Sequence, residues 1–141
     1  MSIQAVLLPV FVQVALTFAL MFWMGSARVA AIRRGEAKIR DTALGQPNWP
    51  PRVTQIANGY HNQFQLPLLF YAVVVLALLT RKADLLFVIL SWAFVVLRVL
   101  HAAIHTGTNY VPYRFYVFLA GAVVLLLVWV IFAVRMLFVP G

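Results

Sequence analysis

The chain has 141 residues, is 65% hydrophobic and only 10% charged, and combines a net charge of +8 with a mean hydropathy of +0.97. That balance reads as a multi-pass membrane protein, with a soluble core the poorer reading. With no cysteine there is no disulfide framework, no thiolate metal ligand and no cysteine nucleophile, so any sulfur chemistry must bring its sulfur in a ligand.

Four apolar segments are predicted at about 3–26, 54–80, 84–106 and 112–137, each close to the ~20 residues that cross a bilayer as helix. They make one all-α domain over 1–141, a four-transmembrane-helix bundle; without apolar/polar alternation a membrane barrel is not expected. The first segment is expected to be an uncleaved span, since no basic residue precedes it and no small-residue cleavage site closes it. The basic loop 27–53 holds Arg28, Arg33, Arg34, Lys38, Arg40 and Arg52 against only Glu36 and Asp41, whereas the second link holds Arg81, Lys82 and Asp84. The positive-inside rule puts the first loop in the cytoplasm and both termini on the far side, with the cell (inner) membrane as the expected location. The basic residues cluster at membrane edges, where they meet anionic lipid, and no basic stripe with interleaved aromatics exists, so no nucleic-acid partner is expected.

The run "GQPNWPPR" (45–52) ends the loop and starts the second helix near Val53. At ~1.5 Å per residue, Asn62 and Gln65 then lie roughly 13–18 Å along it, below the head groups. Asn58, Asn62 and Gln65 share one face at i, i+4, i+7, with His61 beside them. Pro67 would kink this span, either widening a cavity or only bending the helix. On the third span Arg98, His101 and His105 are spaced i, i+3, i+7, about 12 Å and less from its end, so two polar stripes meet at one depth. The chain's acids, Glu36, Asp41 and Asp84, all lie outside the spans. Arg98 must therefore find neutral acceptors such as Asn62, Gln65, a carbonyl or a histidine, or else an anionic ligand. Two readings follow: Arg98 cements helices two and three, or it faces a ligand. His101 and His105 could chelate from one helical turn, but no third ligand is in sight, so no metal site is expected. Arg114 opens the fourth span after Pro112, where either a lipid phosphate or a reacting group would suit it.

These motifs together are similar to those of the MAPEG family, the membrane-associated proteins in eicosanoid and glutathione metabolism. "SAR" (26–28) stands at the end of helix one, Asn62-x-x-Gln65 with Pro67 in helix two, Arg98-x-x-His101 in helix three and Arg114 at the start of helix four. The resemblance implies a homotrimer with glutathione bound between neighbouring subunits in a site open to the cytoplasmic side. It implies that Arg28 grips a glutathione carboxylate, that Asn62, Gln65 and Arg98 take the family's helix-two and helix-three positions, and that Arg114 stabilises the thiolate. A hydrophobic small molecule would arrive from the membrane lipids, and the activity implied is that of a glutathione-dependent transferase or peroxidase. The chain also departs from the pattern: Gln65 replaces a glutamate, Asn58 an arginine, and His101 and His105 stand at tyrosine positions. A non-enzymatic lipid-binding or accessory subunit is the alternative that those departures favour. A channel or transporter is not expected, because no ring of acids and no discontinuous helix pair is evident.

Overall fold

The computed structural model describes residues 1–139. Among them there are helices and no strands: α1 (Ile3–Arg33), the short α2 (Ile39–Thr42), α3 (Pro51–His61), α4 (Leu66–Leu79), α5 (Leu85–Thr106) and α6 (Val111–Phe138). Four spans are long and apolar enough to cross a membrane, namely α1, Pro51–Leu79, α5 and α6. The molecule is a four-helix membrane bundle.

Local chemistry sets the helix ends. Ser2 caps α1 by accepting from the Ala5 N–H at 3.2 Å. The helix then runs past the expected end at 26, so Arg28 and Arg33 are on the helix rather than in the loop. It stops at Gly35, whose φ of +73° lets the Glu36 N–H reach the Ala31 carbonyl at 2.9 Å and the Gly35 N–H reach that of Ile32 at 3.1 Å. Arg81 closes α4 with the same pair of bonds at φ +55°, without glycine's freedom. Asp84 caps α5 by accepting from Phe87 N–H at 3.0 Å.

The second span differs most from expectation. It begins at Pro51 and is not one kinked helix over 54–80 but two helices separated by a 3₁₀ turn over Asn62–Phe64. The break lies at Gln65, with φ −96° and ψ −105°, and Pro67 sits in the first turn of α4, where a missing N–H costs nothing. One discontinuous span is therefore present.

The four spans pack with α1 against α3, α4 and α5, and α6 against α4 and α5. The main apolar core, including Phe70, Val73, Phe94, Val95, Leu125 and Val128, fills the half of the bundle built from α4. Phe70 and Phe94 meet there with ring centroids 5.0 Å apart. The outer face carries large exposed apolar side chains on every span, among them Phe11, Phe22, Val75, Ile89 and Leu126, as a lipid-facing surface requires. At the loop end, α3 and α5 approach so closely that a Cβ on Gly59 would stand 2.6 Å from Thr106 Cγ2. That approach holds the two polar stripes side by side.

Candidate functional site

The polar stripes converge on a cavity of about 500 Å³ between the α3–α4 break, the last turns of α5 and the first turns of α6. Asn58, Asn62, Gln65, His101, His105 and Arg114 all line it, as do His61, Val111, Phe115 and Phe118. No carboxylate is among the lining groups.

Arg98 stands behind this wall at 1% exposure. Its Nη2 donates to the main-chain oxygen of Asn62 at 3.2 Å and to the Asn62 side-chain Oδ1. Asn62 Nδ2 in turn donates to Gln65 Oε1 at 3.0 Å. Arg98 Nε and Nη1 are buried without a partner, and so are His101 Nδ1 and His105 Nδ1. The contact falls at the backbone break: the Asn62 carbonyl accepts from the Gln65 N–H at 3.3 Å within the 3₁₀ turn and also from Arg98.

Arg114 occupies the first turn of α6 and donates from Nη1 to Asn109 Oδ1 at 2.7 Å. Asn109 sits at φ +51° in the tight α5–α6 turn, a conformation asparagine tolerates. The guanidinium is thus aimed by a neutral amide, and among the described residues no carboxylate pairs with it. His101 faces His105 at 5.4 Å between ring centroids and Phe118 at 5.6 Å. His61 lines the same cavity from α3, but no group of three or more His, Cys, Asp or Glu side chains converges among the described residues.

Along α6 the lining face continues from Arg114 and Phe118 to Ala122, Leu125, Leu126 and Trp129, at successive three- and four-residue steps. With Leu66 and Leu69 of α4 these residues line an apolar groove of about 410 Å³. Trp129 Nε1 ties its two sides by donating to the Leu69 carbonyl at 3.1 Å. A polar cavity and an apolar groove therefore share one helix face, with Gln65 and Leu66 adjacent at the boundary.

The MAPEG family description matches residues 6–136 of the chain. The chain belongs to the MAPEG family. No curated protein and no solved structure gives a significant match.

Of the residues that the sequence motifs singled out, neither Arg28 nor Arg98 lines the cavity, and Arg28 is the farther removed in its contacts. It lies over the Trp49 ring, 5.2 Å from its centroid, at the small Ala31–Ala37–Val53 cluster, and its Nε is buried without a partner. Arg98 meets the cavity only through Asn62. Arg52 points to the end of α5: it donates to the Thr106 carbonyl and stacks 5.3 Å from the Trp23 centroid. Gln55 joins it, donating to the carbonyls of His105 and Gly107, both at 2.9 Å. A cation and an amide on the open carbonyls at a helix C-terminus are what its dipole and unpaired groups call for.

Sequence reasoning missed Gln55, Asn109 and the pair Gln13–Gln63. Gln13 Nε2 donates to Gln63 Oε1 at 2.9 Å with both residues almost fully buried, and Gln63 Nε2 donates to the Gly59 carbonyl at 3.0 Å. Gln13, well inside the apolar residues of span one, was the available signal, because a polar side chain at that depth needs a partner across the bundle.

Proposed function

We propose that this MAPEG protein is a glutathione (thiol)-dependent transferase or peroxidase acting on hydrophobic electrophiles within the bilayer. The observation that carries the reading is Arg114, an uncancelled cation on the one helix face that joins the polar cavity to the apolar groove. A thiol in the cavity beside that cation loses its proton more readily than the usual ~8.5 allows, which raises the nucleophilic fraction. An apolar electrophile lying along Leu125, Leu126 and Trp129 would bring its reactive carbon to the polar end. The thiolate then forms a C–S bond while the leaving group departs with its electron pair, and the protein contributes by holding the two reactants in line. Asn58, Asn62 and Gln65 orient the cosubstrate, with His101 and His105 as hydrogen-bonding groups where the family has tyrosines.

The working unit in this proposal is a homotrimer, with Arg28 of one chain facing the cavity of its neighbour. The basic first loop is cytoplasmic, in the cell membrane, by the excess of arginine and lysine it carries. The test is glutathione-dependent conjugation of a chlorodinitrobenzene by the purified protein, with Arg114→Ala as control. Activity should fall about a hundredfold in the variant at unchanged thermal unfolding. Equal rates in the two proteins remove Arg114 from the mechanism, and no thiol-dependent product in the wild type overturns the enzymatic reading.

A second reading is favoured by the same polar residues joining spans: the Arg98–Asn62 and Gln13–Gln63 bonds connect α5 and α1 to the broken second span. In that reading the protein is a lipid-binding or accessory membrane subunit. It requires Asn62→Ala to lower the melting temperature of the assembly; a loss of ligand binding at unchanged melting contradicts it.

A further inference from the structure

Which way an amide points decides what it can bind, and in this cavity the direction is set from behind. A guanidinium has five N–H donors and no acceptor. Arg98, buried to 1% exposure, therefore takes the oxygen of the Asn62 amide, and the opposite orientation would set N–H against N–H out of reach of water. With its oxygen held toward α5, Asn62 turns Nδ2 to Gln65, which must accept with Oε1, as it does at 3.0 Å. With one lone pair of Oε1 taken by Asn62, the Nε2 amide of Gln65 is its donor for the cavity, and Gln65 is an exposed lining residue.

We infer that Gln65 serves the cavity as a hydrogen-bond donor that favours an oxygen acceptor on the ligand, a carboxylate, phosphate or amide oxygen, over an ammonium. A glutamine could turn its oxygen outward as an acceptor; the chain from Arg98 through Asn62 opposes that turn, which would set N–H against N–H. No acid elsewhere takes over the role, because Glu36, Asp41 and Asp84 are the only acids and none lines the cavity. Arg114 adds a positive charge to the same space. Gln65 is thus a specificity-determining residue and Arg98 its positioning residue. The inference rests on the cavity being the ligand site proposed above, but not on the ligand being a thiol.

Two matched pairs of probes test it on the wild type and on Gln65→Glu in nanodiscs: glutathione against its analogue with the ammonium replaced by hydrogen, and dodecyl phosphate against dodecylammonium. The wild type should bind the desamino analogue at least as tightly as glutathione and should prefer the phosphate. Gln65→Glu should shift both ratios toward the ammonium-bearing member by about tenfold, the worth of one charge-assisted hydrogen bond. Arg98→Met should shift them in the same direction with residue 65 untouched, an effect that a purely structural role would not give. If glutathione and its analogue fail to bind while the second pair behaves as stated, the thiol reading falls and the donor assignment stands. A wild-type preference for the ammonium member, unchanged ratios in Gln65→Glu, or no binding of either pair overturns the inference.

Discussion

Arg98 bonds through a single nitrogen and leaves Nε and Nη1 buried and unpartnered, so its charge is poorly compensated where it stands. A buried charge in that condition contributes little to stability, and an apolar side chain of similar length often serves the fold as well. Arg98→Met is therefore expected to unfold within about 1 kcal/mol of the wild type, or to be more stable, while affinity for an anionic ligand drops about tenfold. Thermal unfolding in detergent and calorimetry on the same preparation check the two halves. A large loss of stability would make Arg98 a structural residue after all. The need of Arg98 for a neutral acceptor was legible in the sequence, because the chain has no acid within its spans and Asn62 shares its depth. What was not legible is that Arg98 stops at Asn62 and never reaches the cavity. Asn62 lies at the backbone break, of which hydropathy carries no trace.

The break is an element-scale property. In an unbroken helix Pro67 would remove an internal hydrogen bond at a cost of about 3 kcal/mol, and Pro67→Ala would recover much of that. In the first turn of α4 the proline is nearly free, so Pro67→Ala should change stability by less than about 1 kcal/mol, measured by chemical unfolding. A gain near the larger figure would mean a continuous, strained helix. The sequence marked Pro67 as a disturbance but not where the disturbance falls, since a proline is equally at home at a kink and at a new start. The far end of the site is held by α3 on α5. Gln55→Ala removes both amide bonds to the carbonyls of His105 and Gly107 and should cost about 1–2 kcal/mol, with faster amide exchange confined to the end of α5. Gly59→Leu should be worse, because even a Cβ there already meets Thr106 at 2.6 Å. Both contacts escaped the sequence for the same reason: they join residues about fifty positions apart that neither hydropathy nor helical spacing relates.

For the whole molecule, span number and order follow from hydropathy alone, and four apolar stretches of adequate length permit few arrangements. The electrostatics are equally spare. Of the three acids, Asp84 is the one in a close ion pair, 2.7 Å from Arg135 Nη1, joining the start of α5 to the end of α6. Partial burial pushes its carboxyl up, but the hydrogen bonds from Arg135 and from the Phe87 N–H outweigh that and hold it below the ordinary carboxylate value. A lowered folded-state value means that the stabilisation is present above the unfolded carboxylate's range, near pH 4, and is lost as pH falls through the folded value. The melting temperature should therefore decline modestly on acidification below about pH 4, and Asp84→Asn should flatten most of that decline.

The lone arginine of α5 also bears on how the chain is made. A helix carrying Arg98 leaves the translocon into lipid at a cost of about 2.5–3.5 kcal/mol when no acceptor is at hand. The acceptor is on Asn62, one span earlier in synthesis, and therefore already waiting when the third span emerges. Insertion of that span is then a docking event against the nascent second one, and Asn62→Leu should appear first as mislocalised third and fourth spans in topology mapping, before any effect on binding can be measured.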